Sequence, residues 1–331
     1  MNFISKSKKY NLLIYGCGSI GFRHLEAAIK TNLNLNIFIY DRNFKSYKTI
    51  SKLINKNFFK NPNTKIKFIR NFNLYKKFNL LILATPTHNR CKIINEIYSK
   101  ISFKNIVIEK IAFQSMGEFN KVSNLFKQKK INCWINCPRR LHPLYIEVKK
   151  LIDKNHLFKM SVNGSNWNFA SNLIHFIDLF CFFSNNNSLK IMFSKFGKIT
   201  RSKRLGYYEF NGRLLIYNKK NDILKVNSNN KKKNPLKIKI QSKNFNIIID
   251  ETNKFITFKT GLKNKLLKRN KIEKNKVSDL STIFIESILT TGKSNLVKSN
   301  ISNKHHKVML NIFLNHFNKN FVIKREICPI T

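Results

Sequence analysis

The sequence predicts an α/β protein of two domains: an N-terminal doubly wound parallel sheet, and a C-terminal α+β domain with a large, mostly antiparallel open sheet. Short apolar runs alternate with amphipathic stretches over residues 11–135, which is the pattern of repeated strand–helix units. After Pro138, β-rich runs separated by Asn, Lys and Gly predict antiparallel pairing. A length of 331 residues fits two domains, and the expected boundary divides residues 1–136 from residues 137–331.

The N-terminal sheet is expected to hold six short apolar strands, each followed by a polar or glycine-containing segment. They are predicted over residues 11–15, 36–40, 66–69, 79–83, 105–108 and 131–135. Because parallel strands end at one edge of the sheet, the loops that follow them meet there, and ligands bind at this edge.

The second domain begins with a helix predicted over residues 143–153, a strand over 158–165 and an apolar helix around His175. Five β-rich runs follow, at residues 190–198, 206–217, 222–227, 236–249 and 254–258. Two more helices are predicted at 278–290 and 302–318, and two Asn/Lys-rich long turns at 228–234 and 263–276.

A glycine-rich turn is the strongest local motif of the chain. The first predicted strand runs directly into G-x-G-x-x-G at Gly16, Gly18 and Gly21, and a helix begins there. In such turns the first glycine permits the tight bend, the second lets bare backbone approach a pyrophosphate, and the third lets the helix lie close to its strand. Glycines that merely end a strand are the structural alternative. The context favours a dinucleotide-binding Rossmann domain.

The second predicted strand ends at Asp41, 20 residues after Gly21, where a carboxylate is expected to bind a ribose 2′-hydroxyl. Asp41 favours NAD, because a carboxylate repels a 2′-phosphate, whereas the adjacent Arg42 is able to pair with one and keeps NADP open. An ordinary strand-end turn is the alternative role of Asp41.

The charge of the chain is strongly positive, with 63 Lys and Arg against 16 Asp and Glu and a formal net charge of +47. The lysines are scattered along the chain together with Asn, Ile and Phe, which is the composition expected from A/T-rich codons. Nonspecific binding of polyanions at low salt is expected. No specific nucleic-acid partner is expected, since aromatic and basic residues do not interleave as in an RNA-stacking surface.

The six cysteines show no C-x-x-C pair and no metal-ligand spacing, so reduced thiols and no metal site are expected. The longest apolar stretch, Leu173 to Phe183, is interrupted by His175 and Asp178 and is too short to span a bilayer. The first residues make a poor signal peptide. The sequence therefore predicts a cytoplasmic protein without a membrane segment.

Several short motifs occur in a characteristic order along nearly the whole chain. They are Gly16-x-Gly18-x-x-Gly21-x-Arg23-His24, Asp41, Ala84-Thr85-Pro86-Thr87, Glu109-Lys110, Asn136-Cys137-Pro138-Arg139-Arg140 and His175-Phe176-Ile177-Asp178. This set resembles the glucose-fructose oxidoreductase/inositol dehydrogenase (Gfo/Idh/MocA) family. The resemblance implies NAD(P)-dependent hydride transfer at a hydroxyl or keto carbon of a sugar or sugar derivative, a homodimer or homotetramer, and, from one branch, bacterial surface-glycan biosynthesis.

The resemblance assigns chemistry to two residues. Lys110 matches the lysine that lies between the nicotinamide and the reacting hydroxyl, where it polarises the substrate oxygen. His175 matches the histidine that serves as general acid or base, and its unperturbed pKa suits that role at neutral pH. Asp178, three residues later, would orient the ring or cap a neighbouring backbone group. One more surface lysine and a buried core histidine are the structural alternatives.

Binding roles follow from the same resemblance. The residues expected to bind cofactor are Gly16, Gly18, Ser19, Ile20, Gly21, Asp41, Arg42, Thr85, Pro86, Thr87 and Glu109. The residues expected to bind substrate are Lys110, Asn172, His175, Trp167 and one of Arg139 and Arg140. A core position is an equal alternative for Trp167. Arg23 and His24 are expected to cover the diphosphate or to face solvent, without a catalytic role.

Three departures from the family pattern motivate a second hypothesis. Ile111 replaces the proline after the lysine, so any cis peptide there is expected to be lost. Ser171 stands where many relatives have an aspartate, and Arg90 stands where they often have a histidine. The alternative is a catalytically silent NAD(P)-binding protein with a regulatory or assembly role.

Overall fold

The computed structural model describes residues 8–42, 51, 60–152, 157–230, 234–260, 265–271 and 277–331. The chain forms two compact units. The first comprises Met1–Phe113, Gly117–Leu141 and Asn275–Ser299, and the second comprises Gln114–Met116, His142–Lys274 and Asn300–Thr331. The boundary after residue 136 stays a prediction.

The strands and helices of the described ranges are numbered in chain order. The strands are β1 Lys9–Tyr15, β2 Asn34–Tyr40, β3 Lys65–Phe68, β4 Lys77–Phe78, β5 Leu80–Leu83, β6 Ser102–Phe103, β7 Asn105–Glu109, β8 Asn132–Asn136, β9 Phe158–Ser165, β10 Leu189–Phe196, β11 Thr200–Arg201, β12 Tyr208–Glu209, β13 Gly212–Asn218, β14 Ile223–Asn229, β15 Lys237–Ser242, β16 Phe245–Asp250, β17 Phe255–Thr260, β18 Lys265–Lys271 and β19 Val297–Lys298. The α-helices are α1 Ser19–Ile29, α2 Arg90–Tyr98, α3 Met116–Gln128, α4 Pro143–Leu151, α5 Phe169–Ser184, α6 Val277–Thr291 and α7 Ser299–Asn320, with a 3-10 helix at Pro138–Leu141.

The first unit is built on a seven-stranded sheet of described strands in the order β19-β8-β7-β5-β1-β2-β3. Its strands are parallel except β19, which pairs antiparallel with β8. Residues such as Leu12, Leu13 and Ile14 of β1 are fully buried, as both faces of a parallel sheet require. Phe284 and Ile285 of α6 belong to the same apolar core, so residues distant in sequence complete this unit.

The second unit is built on an eight-stranded sheet in the order β10-β13-β14-β9-β15-β16-β17-β18, also counted over the described residues. All neighbours are antiparallel except β9 and β14. Alternate residues such as Ile238 and Ile240 of β15 are fully buried, which is the period-two pattern of a sheet with one apolar face.

The predicted fold class is confirmed. Two local expectations are wrong. The run predicted over 236–249 is two antiparallel strands, β15 and β16, that join at residues 243–244. The long turn predicted over 263–276 contains β18 in its described part; a lysine-rich edge strand is tolerated because it pairs on one side only and its charges discourage further pairing.

All six cysteines lie in the described ranges and are buried, and no disulfide joins them. Within those same ranges, none of the helices combines the length and the apolar character needed to cross a membrane.

Candidate active site

The glycine turn joins β1 to α1 at the carboxyl edge of the first sheet. Gly16 has φ +87°, a left-handed conformation that glycine adopts without steric cost. A Cβ on Gly21 would overlap the Gly16 carbonyl oxygen, so α1 lies against the turn as closely as backbone allows. A Cβ on Gly18 would meet no atom within 4 Å. The turn is therefore closed on its protein side and open at Gly18.

Asp41 lies against this turn at the end of β2. Its Oδ2 atom accepts a hydrogen bond from the backbone N–H of Cys17, at 2.5 Å. Burial and the neighbouring Asp41 charge raise the pKa of the Cys17 thiol to about 12, so this cysteine is a neutral, unreactive thiol at physiological pH. Arg42 is largely exposed and its Nη2 atom lies 3.5 Å from Glu96.

Lys110 follows β7 and is half-buried. The peptide bond between Lys110 and Ile111 is cis, so the expected loss of a cis bond at this isoleucine is wrong. The guanidinium of Arg90 lies beside this peptide bond. It donates to the carbonyl oxygens of Glu109, Ile111 and Ala112 at 2.7, 2.5 and 2.8 Å, on both sides of the cis bond.

The carboxylate of Glu109 points into a buried polar network of the first unit. Its Oε1 atom lies 2.7 Å from His24 Nε2 and accepts a hydrogen bond from Asn136 Nδ2 at 2.5 Å. His24 Nδ1 lies 3.1 Å from the hydroxyl of Ser281 in α6. His24 is fully buried, so the expectation that it covers the diphosphate or faces solvent is wrong. The role of Glu109 in binding cofactor stays a prediction.

The pKa of Glu109 reflects two opposed effects. Burial raises it, but the hydrogen bond and charge of His24, the hydrogen bond from Asn136 and the charge of Lys110 outweigh burial and lower it below its usual value. Glu109 is therefore a carboxylate at neutral pH, and it presents a fixed negative charge next to Lys110 in the sequence.

The remaining predicted cofactor and substrate residues of the first unit lie in loops that follow its strands. Thr85, Pro86 and Thr87 follow β5, and the Thr85 hydroxyl is buried with no hydrogen-bond partner among the described residues. Arg139 and Arg140 lie in the 3-10 helix after β8, and both are half-buried. Which of these two arginines binds substrate stays a prediction.

The start of the His175 helix, α5, is capped by a carboxylate from elsewhere in the second unit. Asn168 at its N-cap is left-handed and makes no side-chain cap. Glu209 of β12 instead accepts hydrogen bonds from the N–H groups of Ala170 at 2.9 Å and Ser171 at 3.2 Å. The Glu209 carboxylate thus lies at Ser171, although residue 171 is not itself an acid.

Asp178, one turn beyond His175, has a buried partner from α7. Its Oδ1 atom lies 3.6 Å from Nδ1 of His305, and both side chains are almost fully buried. Nε2 of His305 lies 2.9 Å from the side-chain oxygen of Asn187. The Asp178 carboxylate therefore lies against the last helix, a neighbour that sequence spacing alone did not reveal.

Two predicted substrate residues, Asn172 and Trp167, precede His175 in the sequence. Asn172 is half-buried and donates to the Trp167 carbonyl at 2.8 Å. Trp167 is buried and packs edge-on against Phe169 and Phe176, as a core residue does. Its indole N–H has no acceptor among the described residues. Its predicted contact with substrate stays a prediction.

Sequence reasoning missed the partners of Arg90, His24, Glu209 and Asp178. The contacts Arg90–Glu109, His24–Glu109, Glu209–Ala170 and Asp178–His305 join residues 19 or more positions apart, and no local pattern encodes such pairs. For Arg90 one signal was present, because the motif resemblance implies a histidine at this position and a cation there needs acceptors for its N–H groups.

Solved structures share this fold across nearly the whole chain. A dehydrogenase (MviM) from Clostridium difficile has a TM-score of 0.71 at 15% identity, over 92% of this chain and 99% of that one. UDP-N-acetylglucosamine 3-dehydrogenase GnnA from Acidithiobacillus ferrooxidans has a TM-score of 0.67 at 10% identity, over 92% and 97%. The transcriptional regulator Gal80p from Kluyveromyces lactis has a TM-score of 0.68 at 13% identity, over 93% and 92%.

These similarities show the fold of the chain, which is shared with the dehydrogenase structures MviM and GnnA. The fold that the motif resemblance implies is thereby confirmed. No protein-family model matches the chain, and no curated protein matches its sequence.

Proposed function

We propose that this protein is an NAD(P)-dependent oxidoreductase that transfers a hydride between a nicotinamide and a hydroxyl or keto carbon of a sugar or sugar derivative. The observation that carries the proposal is the glycine turn, open at Gly18 and closed by backbone contact at Gly21. This arrangement lets a pyrophosphate meet unpaired N–H groups and the positive end of a helix dipole.

The residues of the first unit fit such a cofactor. The turn from Gly16 to Gly21 would hold the diphosphate and Asp41 a ribose hydroxyl. The buried Thr85 hydroxyl, with no hydrogen-bond partner in the described ranges, offers a donor and an acceptor at the same sheet edge. When bound, the nicotinamide supplies the acceptor or donor of the hydride.

The roles proposed for Lys110 and His175 follow from their side-chain chemistry and from the motifs. The Lys110 ammonium donates a hydrogen bond to the substrate oxygen and stabilises negative charge on it as the proton leaves. His175 takes the proton from the substrate hydroxyl during oxidation and returns it during reduction. Substrate contacts are proposed for Asn172, Trp167 and one of the two arginines after β8.

The choice between NAD and NADP rests on charge. The Asp41 carboxylate favours a free 2′-hydroxyl, whereas Arg42 and the cations of a cavity of about 430 Å³ beside Tyr40, lined in part by Arg70 and Lys76, would attract a 2′-phosphate. We expect tighter binding of NADH than of NADPH, measured by quenching of protein fluorescence. A preference for NADPH that Arg42→Met reverses would assign the arginine as the phosphate ligand.

A sugar panel tests the reaction. The protein loaded with NAD⁺ is mixed in single turnover with free sugars and nucleotide sugars, including UDP-N-acetylglucosamine, and nicotinamide absorbance is followed. At least one substrate should reduce the cofactor. Lys110→Met and His175→Gln should abolish reduction while NADH binding persists.

The second candidate is a silent NAD(P)-binding regulator. The similarity to Gal80p supports it, together with Ser171 in place of an acid. In the sugar panel this candidate predicts cofactor binding without any absorbance change. Failure to bind either nucleotide would contradict both candidates. The expected cytoplasmic location, homo-oligomeric state and part in surface-glycan biosynthesis remain predictions.

A further inference from the structure

Arg90 carries a permanent charge inside the first unit. Its side chain is 1% exposed, and a guanidinium stays protonated at any physiological pH. Transferring such a charge from water to a protein interior costs several kcal/mol of desolvation free energy unless hydrogen bonds compensate it. A buried arginine is therefore retained only where its donors find acceptors.

The acceptors of Arg90 are main-chain carbonyls from two loops. One is the carbonyl of Thr85, which follows β5 and accepts from Nη2. The others are those of Glu109, at the end of β7, and of Ile111 and Ala112, which follow it; these three carbonyls share the two N–H groups of Nη1. Strands β5 and β7 are parallel neighbours, so one cation joins two adjacent loops at the carboxyl edge of the sheet.

We propose that Arg90 is a positioning residue, which holds the Lys110 loop and the Thr85 loop in one arrangement through these carbonyls. The carbonyls of Glu109 and Ile111 flank Lys110, so fixing both fixes the backbone from which the lysine projects. This inference rests on the proposed function for its purpose, since Lys110 is the group expected to touch substrate. The contacts themselves do not depend on it.

The geometry of the guanidinium explains why this role suits arginine. Its planar fork presents five donors, and charge-assisted hydrogen bonds are stronger than neutral ones. A neutral histidine has one ring N–H donor, which is too few to serve both loops. A lysine has the charge and three donors but lacks the fork.

The test uses Arg90→Met, which keeps the length and removes the charge, and Arg90→Lys, which keeps the charge. Arg23→Met is the matched control, because Arg23 is half-exposed and pairs with Glu26 on the surface of α1. Two measurements are made on each full-length protein without substrate. The first is hydrogen exchange of peptides covering the Lys110 and Thr85 loops. The second is the rate of Lys110 acetylation as a function of pH, followed by mass spectrometry.

In Arg90→Met we expect amide hydrogen exchange to become about tenfold faster or more in these two loops and not in β1 or β2. In the wild type the loops open only when the charge-assisted hydrogen bonds from Arg90 break, and the variant lacks those bonds. The pH profile of Lys110 acetylation should shift, and Arg90→Lys should restore part of both effects. The control should match the wild type.

Three outcomes would overturn the proposal. They are unchanged exchange in both loops, faster exchange throughout the unit, and failure of both Arg90 variants to fold, which would make Arg90 a folding determinant only. Binding of NADH to the wild type is measured in parallel. Its absence would contradict the proposed function, whereas the loop measurements would still decide the role of Arg90.

Discussion

His24 Nε2 and Glu109 Oε1 lie 2.7 Å apart in the interior of the first unit, and they join the first helix to the strand that precedes Lys110. This contact links the glycine-turn helix to the proposed catalytic loop through a buried acid.

Glu109→Gln should lower the free energy of unfolding by about 2 kcal/mol at neutral pH, because it replaces charge-assisted hydrogen bonds with neutral ones. The pKa of Glu109 is lower in the folded protein than usual. The carboxylate therefore stabilises the fold fully above the ordinary glutamate pKa, and this stabilisation is lost as pH falls through that range to the folded pKa.

Urea unfolding at several pH values measures this effect. The difference between wild type and variant should shrink as the pH becomes acidic. Glu26→Gln, at a partly exposed pair with Arg23, should change little at any pH. A difference that is constant with pH would contradict the pKa assignment.

Gly18→Ala and Gly21→Ala should separate cofactor binding from folding. At Gly18 a methyl group meets no protein atom within 4 Å, so stability should fall by no more than about 1 kcal/mol, the cost of alanine at the N-cap of α1. NADH binding should weaken about tenfold or more, because the methyl group would meet the diphosphate. At Gly21 the methyl group overlaps backbone, so stability should fall by roughly 2 kcal/mol or more.

Gly197→Ala is the control for both, since its Cβ meets only the Asn211 carbonyl oxygen at an ordinary 3.5 Å. The measurements are thermal unfolding and fluorescence titration with NADH. Unweakened NADH binding by Gly18→Ala would count against a diphosphate at this turn.

Glu209→Ala should destabilise the second unit by about 1–2 kcal/mol, because the first N–H groups of the His175 helix lose a charged cap. Glu209→Gln keeps an acceptor and should cost less. Glu147→Ala, at an exposed pair with Lys150, is the comparison. Chemical denaturation followed by circular dichroism measures the three, and equal stabilities would show that Glu209 does not act as the cap.

Asp178→Asn should lower the free energy of unfolding by about 1–3 kcal/mol, because it changes a buried polar group that packs beside the imidazole of His305. Asp279→Asn removes a charge from a surface pair with Lys30, whose side chains are 40% and 45% exposed, and should cost under about 1 kcal/mol. If Asp178→Asn left stability unchanged but altered the pH profile of turnover, Asp178 would serve His175 instead of His305.

The parts of the structure that the sequence predicts are those encoded locally. The strand, glycine turn and helix over residues 9–29 are adjacent in the chain, and most other strands were placed within a few residues. Strand β18 was missed because Lys and Asn mark turns as well as exposed edge strands. Strand β19 has two residues and pairs with β8 from more than 160 positions away, which no periodicity reveals.

In the candidate site, too, the sequence predicts the residues that are encoded locally and misses those that depend on tertiary contacts. Gly18 and Asp41 could be named because motif spacing encodes them, whereas the compensation of Arg90 by main-chain carbonyls and the capping of α5 by Glu209 depend on tertiary contacts. Asp178 shows the limit of helical spacing. The spacing predicts that Asp178 shares a helix face with His175, which stays a prediction, whereas its buried neighbour His305 comes from the last helix.

The first unit draws α6 and β19 from residues 277–298, after the chain has already passed through the second sheet. Leu280, Phe284 and Ile288 fill the same core as Leu12 and Ile14. A ribosome that has finished β8 must therefore still translate the whole second sheet before that core closes. Until then the nascent sheet of the first unit exposes apolar surface, so its final folding follows, and does not precede, synthesis of the second unit.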